Sequence, residues 1–83
     1  MALATSQAKK VFSSLKIGDK LEYDYQKKDR AGIIESFKNG DNPYIKEKFG
    51  LHHLMSYMSL TSSGYTTYLK VNGKLIIDNG KLK

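Results

Sequence analysis

Cysteine and tryptophan are absent from this chain, and proline and arginine each occur once, as Pro43 and Arg30. Without cysteine there is no disulfide, no thiolate zinc site and no thiol nucleophile. Long apolar runs are missing as well. No stretch of about 18 consecutive apolar residues is present to span a bilayer, and Met1 to Leu15 lacks an uninterrupted apolar run of signal-peptide length. The expectation is a cytoplasmic or nuclear chain with no membrane partner.

Catalytic groupings are equally sparse. The acids Asp19, Glu22, Asp24, Asp29, Glu35, Asp41, Glu47 and Asp78 are scattered. Glu22 and Asp24 share the polar side of an alternating strand; a salt-bridged strand face is the ordinary reading, because a hydrolytic carboxylate pair needs a cleft around it. His52 and His53 are adjacent, and on a helix they point about 100° apart, so they do not share a metal as i, i+4 histidines can. Ser13-Ser14 and Ser62-Ser63 have no paired base in a nucleophile motif, and the glycines form neither a phosphate loop nor a dinucleotide fingerprint. The chain is expected to be non-enzymatic, with no cofactor and no metal. Protonation of the histidines near neutral pH would add to any basic surface.

Positive charge is what the chain does have. Fourteen Lys plus Arg against eight Asp plus Glu give +6 over 83 residues, and the pI is about 9.6. Such a balance favours phosphate backbones or acidic surfaces through counterion release and steering; it also serves solubility. Lysine is a point charge suited to phosphate, whereas bidentate base reading draws on arginine, so sequence preference is expected to be weak or shape-driven.

A chain this short supports one core, giving a single domain over 1–83, with 1–4 and 79–83 expected to fray. Ala8, Val11, Phe12 and Leu15 lie at helical spacing behind a Thr/Ser cap candidate, and Gly18 stops the helix. Leu21, Tyr23 and Tyr25 alternate with acids, predicting a strand with one buried face. The polar connection 26–30 leads to a β-branched partner strand over 31–37, which makes Lys27, Lys28 and Arg30 a basic hairpin tip. Turn formers at 38–43, including Pro43, precede a third strand from Tyr44 to Phe49. Leu51, Leu54, Met55 and Met58 fall at i, i+3, i+4 and i+7, predicting a second helix that ends at Thr61-Ser62-Ser63-Gly64. Asn72-Gly73 between two β-rich runs predicts a type I′ hairpin pairing Val71 with Lys74, Leu69 with Ile76 and Thr67 with Asp78. The resulting fold class is α+β, order α-β-β-β-α-β-β, an antiparallel or mixed sheet packed by two short helices.

Aromatic residues alternate with cations at Tyr44, Lys46, Lys48 and Phe49 and again at Tyr65, Tyr68, Lys70 and Lys74. The mixture suits backbone neutralisation combined with stacking, although tyrosine is also a good strand former. The order of features resembles the RAMA domain, a module associated with restriction enzymes and adenine methylases. Leu15, Gly18 and Leu21 are similar to its leucine–glycine–leucine opening, Ala31 to Ile34 to its central strand, and Asn39-Gly40 to its turn before a short strand. Phe49, the Leu51 to Ser59 segment and Gly64-Tyr65-Thr66-Thr67-Tyr68 resemble its aromatic position, its small-residue helix and its Gly-Trp-x-x-Trp segment. Tyrosines stand where that family has tryptophans, and Gly50-Leu51-His52 replaces its serine-rich helix entrance. The resemblance implies non-catalytic binding of DNA, including modified DNA, with Tyr65 and Tyr68 at the aromatic positions. The candidate nucleic-acid contacts are therefore Lys27, Lys28, Arg30, Lys46, Lys48, Tyr65, Tyr68, Lys70 and Lys74, with DNA preferred to RNA as partner. The rival reading is a protein-binding module, such as a phage- or mobile-element-type inhibitor, that captures an acidic partner or homodimerises through the C-terminal hairpin. A bare patch of Leu75, Ile77 and Tyr68 favours the rival; a lysine stripe favours nucleic acid.

Overall fold

The computed structural model describes residues 3–62 and 65–83. Met1 and Ala2 in the expected frayed start, and Ser63 and Gly64 in the expected helix stop, lie outside the described residues. Helix α1, Thr5–Ser13, buries Ala8, Val11 and Phe12, and Leu15 is buried just beyond it, as the spacing predicts. Ala4 rather than a hydroxyl residue is the N-cap, and its backbone N–H donates to Gln7 Oε1 at 3.0 Å. Leu3 does not fray: it is buried and its N–H donates to the Leu60 carbonyl at 3.0 Å.

Seven strands follow: β1 Lys20–Tyr25, β2 Lys28–Lys38, β3 Asn42–Glu47, β4 His52–Leu54, β5 Leu69–Val71, β6 Lys74–Asp78 and β7 Lys81–Leu82. They form one antiparallel sheet in the order β4-β3-β2-β1-β5-β6-β7. A short helix α2, Met58–Thr61, lies between β4 and β5. The chain is thus α+β and contains the sequence α-β-β-β-α-β-β, with two additional short strands.

Left-handed turns set much of this topology. Asn72-Gly73 has φ of 51° and 85° between paired Val71 and Lys74, the type I′ geometry expected of Asn-Gly. The same two-residue geometry recurs at Gln26-Lys27, φ 51° and 68°, which shortens the expected 26–30 connection and puts Lys28, Asp29 and Arg30 inside β2. It recurs again at Asn79-Gly80, φ 52° and 75°. The tail is therefore a hairpin strand rather than a frayed end, held further by Gly80 N–H donating to the Thr67 carbonyl at 2.8 Å.

Three local expectations change. The 51–57 segment is not helical, and α2 begins only at Met58: β4 pairs with the edge of β3, His52 stacks on Tyr44 with ring centroids 4.7 Å apart, and His53 meets Tyr25 at 4.8 Å. Edge pairing and ring contacts outweigh the modest helix preference of His-His, and of the apolar quartet only Met55 is buried. Pro43 sits within β3 opposite Phe37, tolerated near the strand start, and its carbonyl accepts from Met55. The third strand ends at Glu47, and Lys48–Gly50 forms a 3₁₀ turn with Phe49 at φ 64°. In the last hairpin Lys70 pairs with Leu75 but Leu69 pairs with Ile77, so Ile76 is the extra residue of a bulge. The shift turns Ile77, 1% exposed, into the core.

One sheet face carries that core. Leu21, Tyr23, Ile34, Ile45, Leu69 and Ile77 pack with Phe12 of α1 and Leu60 of α2. Asp24 lies on the opposite parity yet is buried. Its carboxylate accepts from Thr67 N–H and Thr67 Oγ1, each at 2.6 Å, and from Tyr68 N–H at 3.0 Å. These bonds tie the lead-in of β5 to β1. Burial pushes the Asp24 carboxyl up, but the three donors outweigh it and hold the group below its ordinary value.

Asp24→Asn is expected to cost about 2 kcal/mol of stability, because the neutral amide loses the charge that strengthens these bonds and forces the Thr67 hydroxyl to turn from donor to acceptor. With the native pKa depressed, the Asp24 contribution is complete above the unfolded value near 4 and is lost as pH falls through the folded value. Urea melts of both proteins across acid pH check this; a gap that does not narrow on acidification contradicts it. Gly32 has no room for a side chain, since a Cβ there would lie 2.5 Å from the Lys46 carbonyl oxygen and 2.6 Å from Ile45 Cγ2. Gly32→Ala should therefore destabilise by about 2 kcal/mol, typical of overpacking, and an unchanged melting temperature would show that β2 and β3 can separate freely.

Candidate nucleic-acid interface

Strand pairing defines what the second sheet face displays. Side chains of directly opposed residues share a face, and Leu21, Tyr23 and Ile45 mark the core side. The other side carries the row His52, Lys46, Ile33, Lys20 across β4-β3-β2-β1. A second row runs Ala31, Glu22, Lys70, Leu75 across β2-β1-β5-β6. Both helices pack on the core side, and Ile33 remains 51% exposed on this one.

Beside these rows lies an open groove of about 550 Å³. Lys28, Lys48, Lys70 and Tyr68 line it with Arg30, Ala31, Phe49 and Leu51; its carboxylates are Glu22, Asp29 and Glu47. Two of those carboxylates are engaged within the protein. Glu47 accepts from Arg30 Nη1 at 2.8 Å and from the Tyr23 hydroxyl at 2.7 Å, and Asp29 accepts from the Tyr68 hydroxyl at 3.0 Å. Burial and the bond to Glu47 push the Tyr23 phenol well above its ordinary range. Burial, then the bond to Asp29, pushes the Tyr68 phenol up to about 12.

The same division holds across the chain. Asp19, Asp24, Asp29, Glu35 and Glu47 all accept internal hydrogen bonds. Among the described residues Arg30 and Glu47 form an ion pair at 2.8 Å, His52 Nε2 hydrogen-bonds with Glu35 Oε1 at 3.1 Å, and no lysine is in an ion pair. Every lysine except half-buried Lys70 is exposed. Five acids thus brace the fold, Asp41 and Asp78 are exposed, and lysine charge faces outward.

The sequence-derived candidates separate into groups. Lys28, Arg30, Lys48, Tyr68 and Lys70 share the groove, and Lys46 shares the open face. Arg30 pairs with Glu47 through Nη1, and its Nε is buried without a partner. Lys27 occupies the β1–β2 turn. Tyr65 stacks on Tyr25 at 5.6 Å and lines a different cleft of about 300 Å³ with Leu54 and Met58. Lys74 pairs with Val71, itself opposite Leu21, which puts it on the core-side parity. The patch expected on the last hairpin is not bare, since Ile77 is buried and Leu75 and Tyr68 are half-buried.

Sequence reasoning missed Lys20 as part of the face, because only the β1–β2 register aligns it with Ile33 and Lys46. His52 and His53, on a strand, point to opposite faces. His53 packs between Tyr23 and Tyr25; burial, followed by the nearby Arg30 charge, lowers its pKa, so it stays neutral near pH 7 and adds nothing to the basic surface. Among the described residues no cluster of His, Asp and Glu is arranged to hold a metal ion, and no helix is long and apolar enough to cross a membrane.

Tyrosine ionisation checks the groove wall. Absorbance titration should show a component near pH 12 that Tyr68→Phe removes, and stability should decline as pH rises from about 10 towards about 12, because the folded state disfavours the phenolate. A Tyr68→Phe curve that loses only an ordinary phenol near pH 10 would contradict the Tyr68–Asp29 bond. Comparison with protein-family models, curated proteins and solved structures finds no match, so the likeness to the RAMA domain rests on the sequence pattern.

Proposed function

We propose that this chain is a non-catalytic nucleic-acid-binding domain, acting on DNA before RNA, that sets its open sheet face against the phosphate backbone. The observation that carries the reading is the placement of charges: five carboxylates accept internal hydrogen bonds, while no lysine among the described residues is in an ion pair and every one but Lys70 is exposed. A polyanion approaching such a surface displaces counterions without first breaking protein ion pairs. Lys20, Lys46 and Lys70 provide point charges on the face, Lys28 and Lys48 provide them at the groove, and Tyr68 supplies a ring whose hydroxyl is held by Asp29. The preference for DNA follows from the resemblance to the RAMA domain.

A protein partner is the second reading, favoured by one observation. Leu54, Met58 and Tyr65 are exposed around the smaller cleft, Met58 by 61%. Such a patch suits an apolar contact.

Anisotropy titrations against duplex DNA, single-stranded DNA and RNA at several salt concentrations separate the two. Binding should weaken linearly in log–log form with salt, and the paired Lys46→Glu, Lys70→Glu variant should lower that slope by about one per lysine. Lys74→Glu, on the other parity, should change it less. Absence of binding even at low salt would remove the nucleic-acid reading and leave the apolar cleft as the site to pursue.

A further inference from the structure

Phe49 is the most exposed large apolar residue among those described, at 96%, and it holds a left-handed backbone with φ 64°. That conformation is unfavourable for a bulky side chain, and glycine would adopt it without cost. No packing offsets the strain, since the ring touches almost nothing. The next residue, Gly50, also has positive φ, so the 3₁₀ turn keeps the ring raised at the groove. The β3–β4 connection imposes this conformation, with Glu47 N–H donating to the Leu51 carbonyl at 2.7 Å, and it leaves the ring exposed at the groove.

We infer that Phe49 is a stacking platform for an unpaired base, and that the occupant of the groove is single-stranded DNA. This rests on the nucleic-acid reading above and narrows it. An aromatic face left in water gains most from a flat, partly apolar partner, and bases in a duplex have both faces covered by their neighbours. Lys28, Lys48 and Lys70 line the same groove, whereas Asp29 and Glu47 are already bonded to Tyr68 and to Arg30 and Tyr23. With Arg30 the groove lining carries four cations against the three carboxylates Glu22, Asp29 and Glu47, a small positive excess. Leu51, 63% exposed beside Phe49, offers apolar contact for a sugar or a second base edge.

Phe49→Gly isolates the ring, because the turn already has a glycine-like conformation. The variant should melt no lower than wild type, bind a short oligothymidylate on the order of tenfold more weakly, and keep the wild-type affinity for a duplex of the same length. A second variant gives a direct signal. The chain has no tryptophan, so Phe49→Trp introduces a single indole whose emission should be quenched as the strand stacks on it. Unchanged oligothymidylate affinity in Phe49→Gly, an equal loss on duplex, or unquenched indole emission at saturating strand would overturn the inference while the lysine face still bound DNA. Failure of the wild type to bind either oligonucleotide at low salt would overturn the nucleic-acid reading as well.

Discussion

The buried carboxylate of Asp24 is the constraint on which the rest of the structure depends. The sheet consists of two runs, β4-β3-β2-β1 and β5-β6-β7, that meet only where β5 pairs with β1. That pairing is short, with three opposed residue pairs. Three donors from Thr67 and Tyr68 converge on Asp24 at the start of β5, and Gln26 N–H donates to the Tyr65 carbonyl at 2.9 Å beside them. A charged acceptor sheltered from water and matched by donors makes strong hydrogen bonds, whereas an unmatched one would cost several kcal/mol. The match settles where Tyr68 points and brings Lys70 level with Glu22. Groove and core both inherit their alignment from it.

A one-sided sheet follows from the same economy of length. Eighty-three residues provide two short helices, enough to cover one face. Neither helix covers the other face, where Lys20, Lys46, Lys70, His52 and Glu22 sit among small or isolated apolar residues. Lysine stems also shield neighbouring apolar surface while their heads remain hydrated. On the proposed reading the same exposed lysines attract a polyanion. Glu22, directly opposite Lys70, is the carboxylate in these rows, so lysines outnumber acids there.

Sequence patterns revealed the parts of the fold governed by local chemistry. Ala8, Val11 and Phe12 announced α1, Leu21 and Tyr23 announced the buried side of β1, and Asn72-Gly73 announced its turn. Other features depend on contacts distant in sequence. Gln26-Lys27 lacks the residues that favour a left-handed turn, and the register of the flanking strands imposes it. His52–Leu54 became a strand because β3 offered a free edge, and the bulge at Ile76 arises because Ile77 has a place in the core. Asp24 reads as a solvent-facing strand acid in a period-two pattern; only the return of the chain at Thr67 buries it. For the candidate interface, basic composition and the alternation of aromatics with lysines were visible. Which of them gather, and that Phe49 stands clear of the protein, required the register of β3 and the positive φ of the turn after it.

The central claim is that the open sheet face, not the cleft by Tyr65 and Met58, receives the ligand. Backbone amide chemical-shift mapping on titration with a short single-stranded DNA tests it most directly. The expected perturbations concentrate at Lys20, Lys46, Lys48, Phe49, Tyr68 and Lys70, with Leu54, Met58 and Tyr65 unmoved. Shifts confined to the latter three residues, or none at saturating DNA, would contradict the claim.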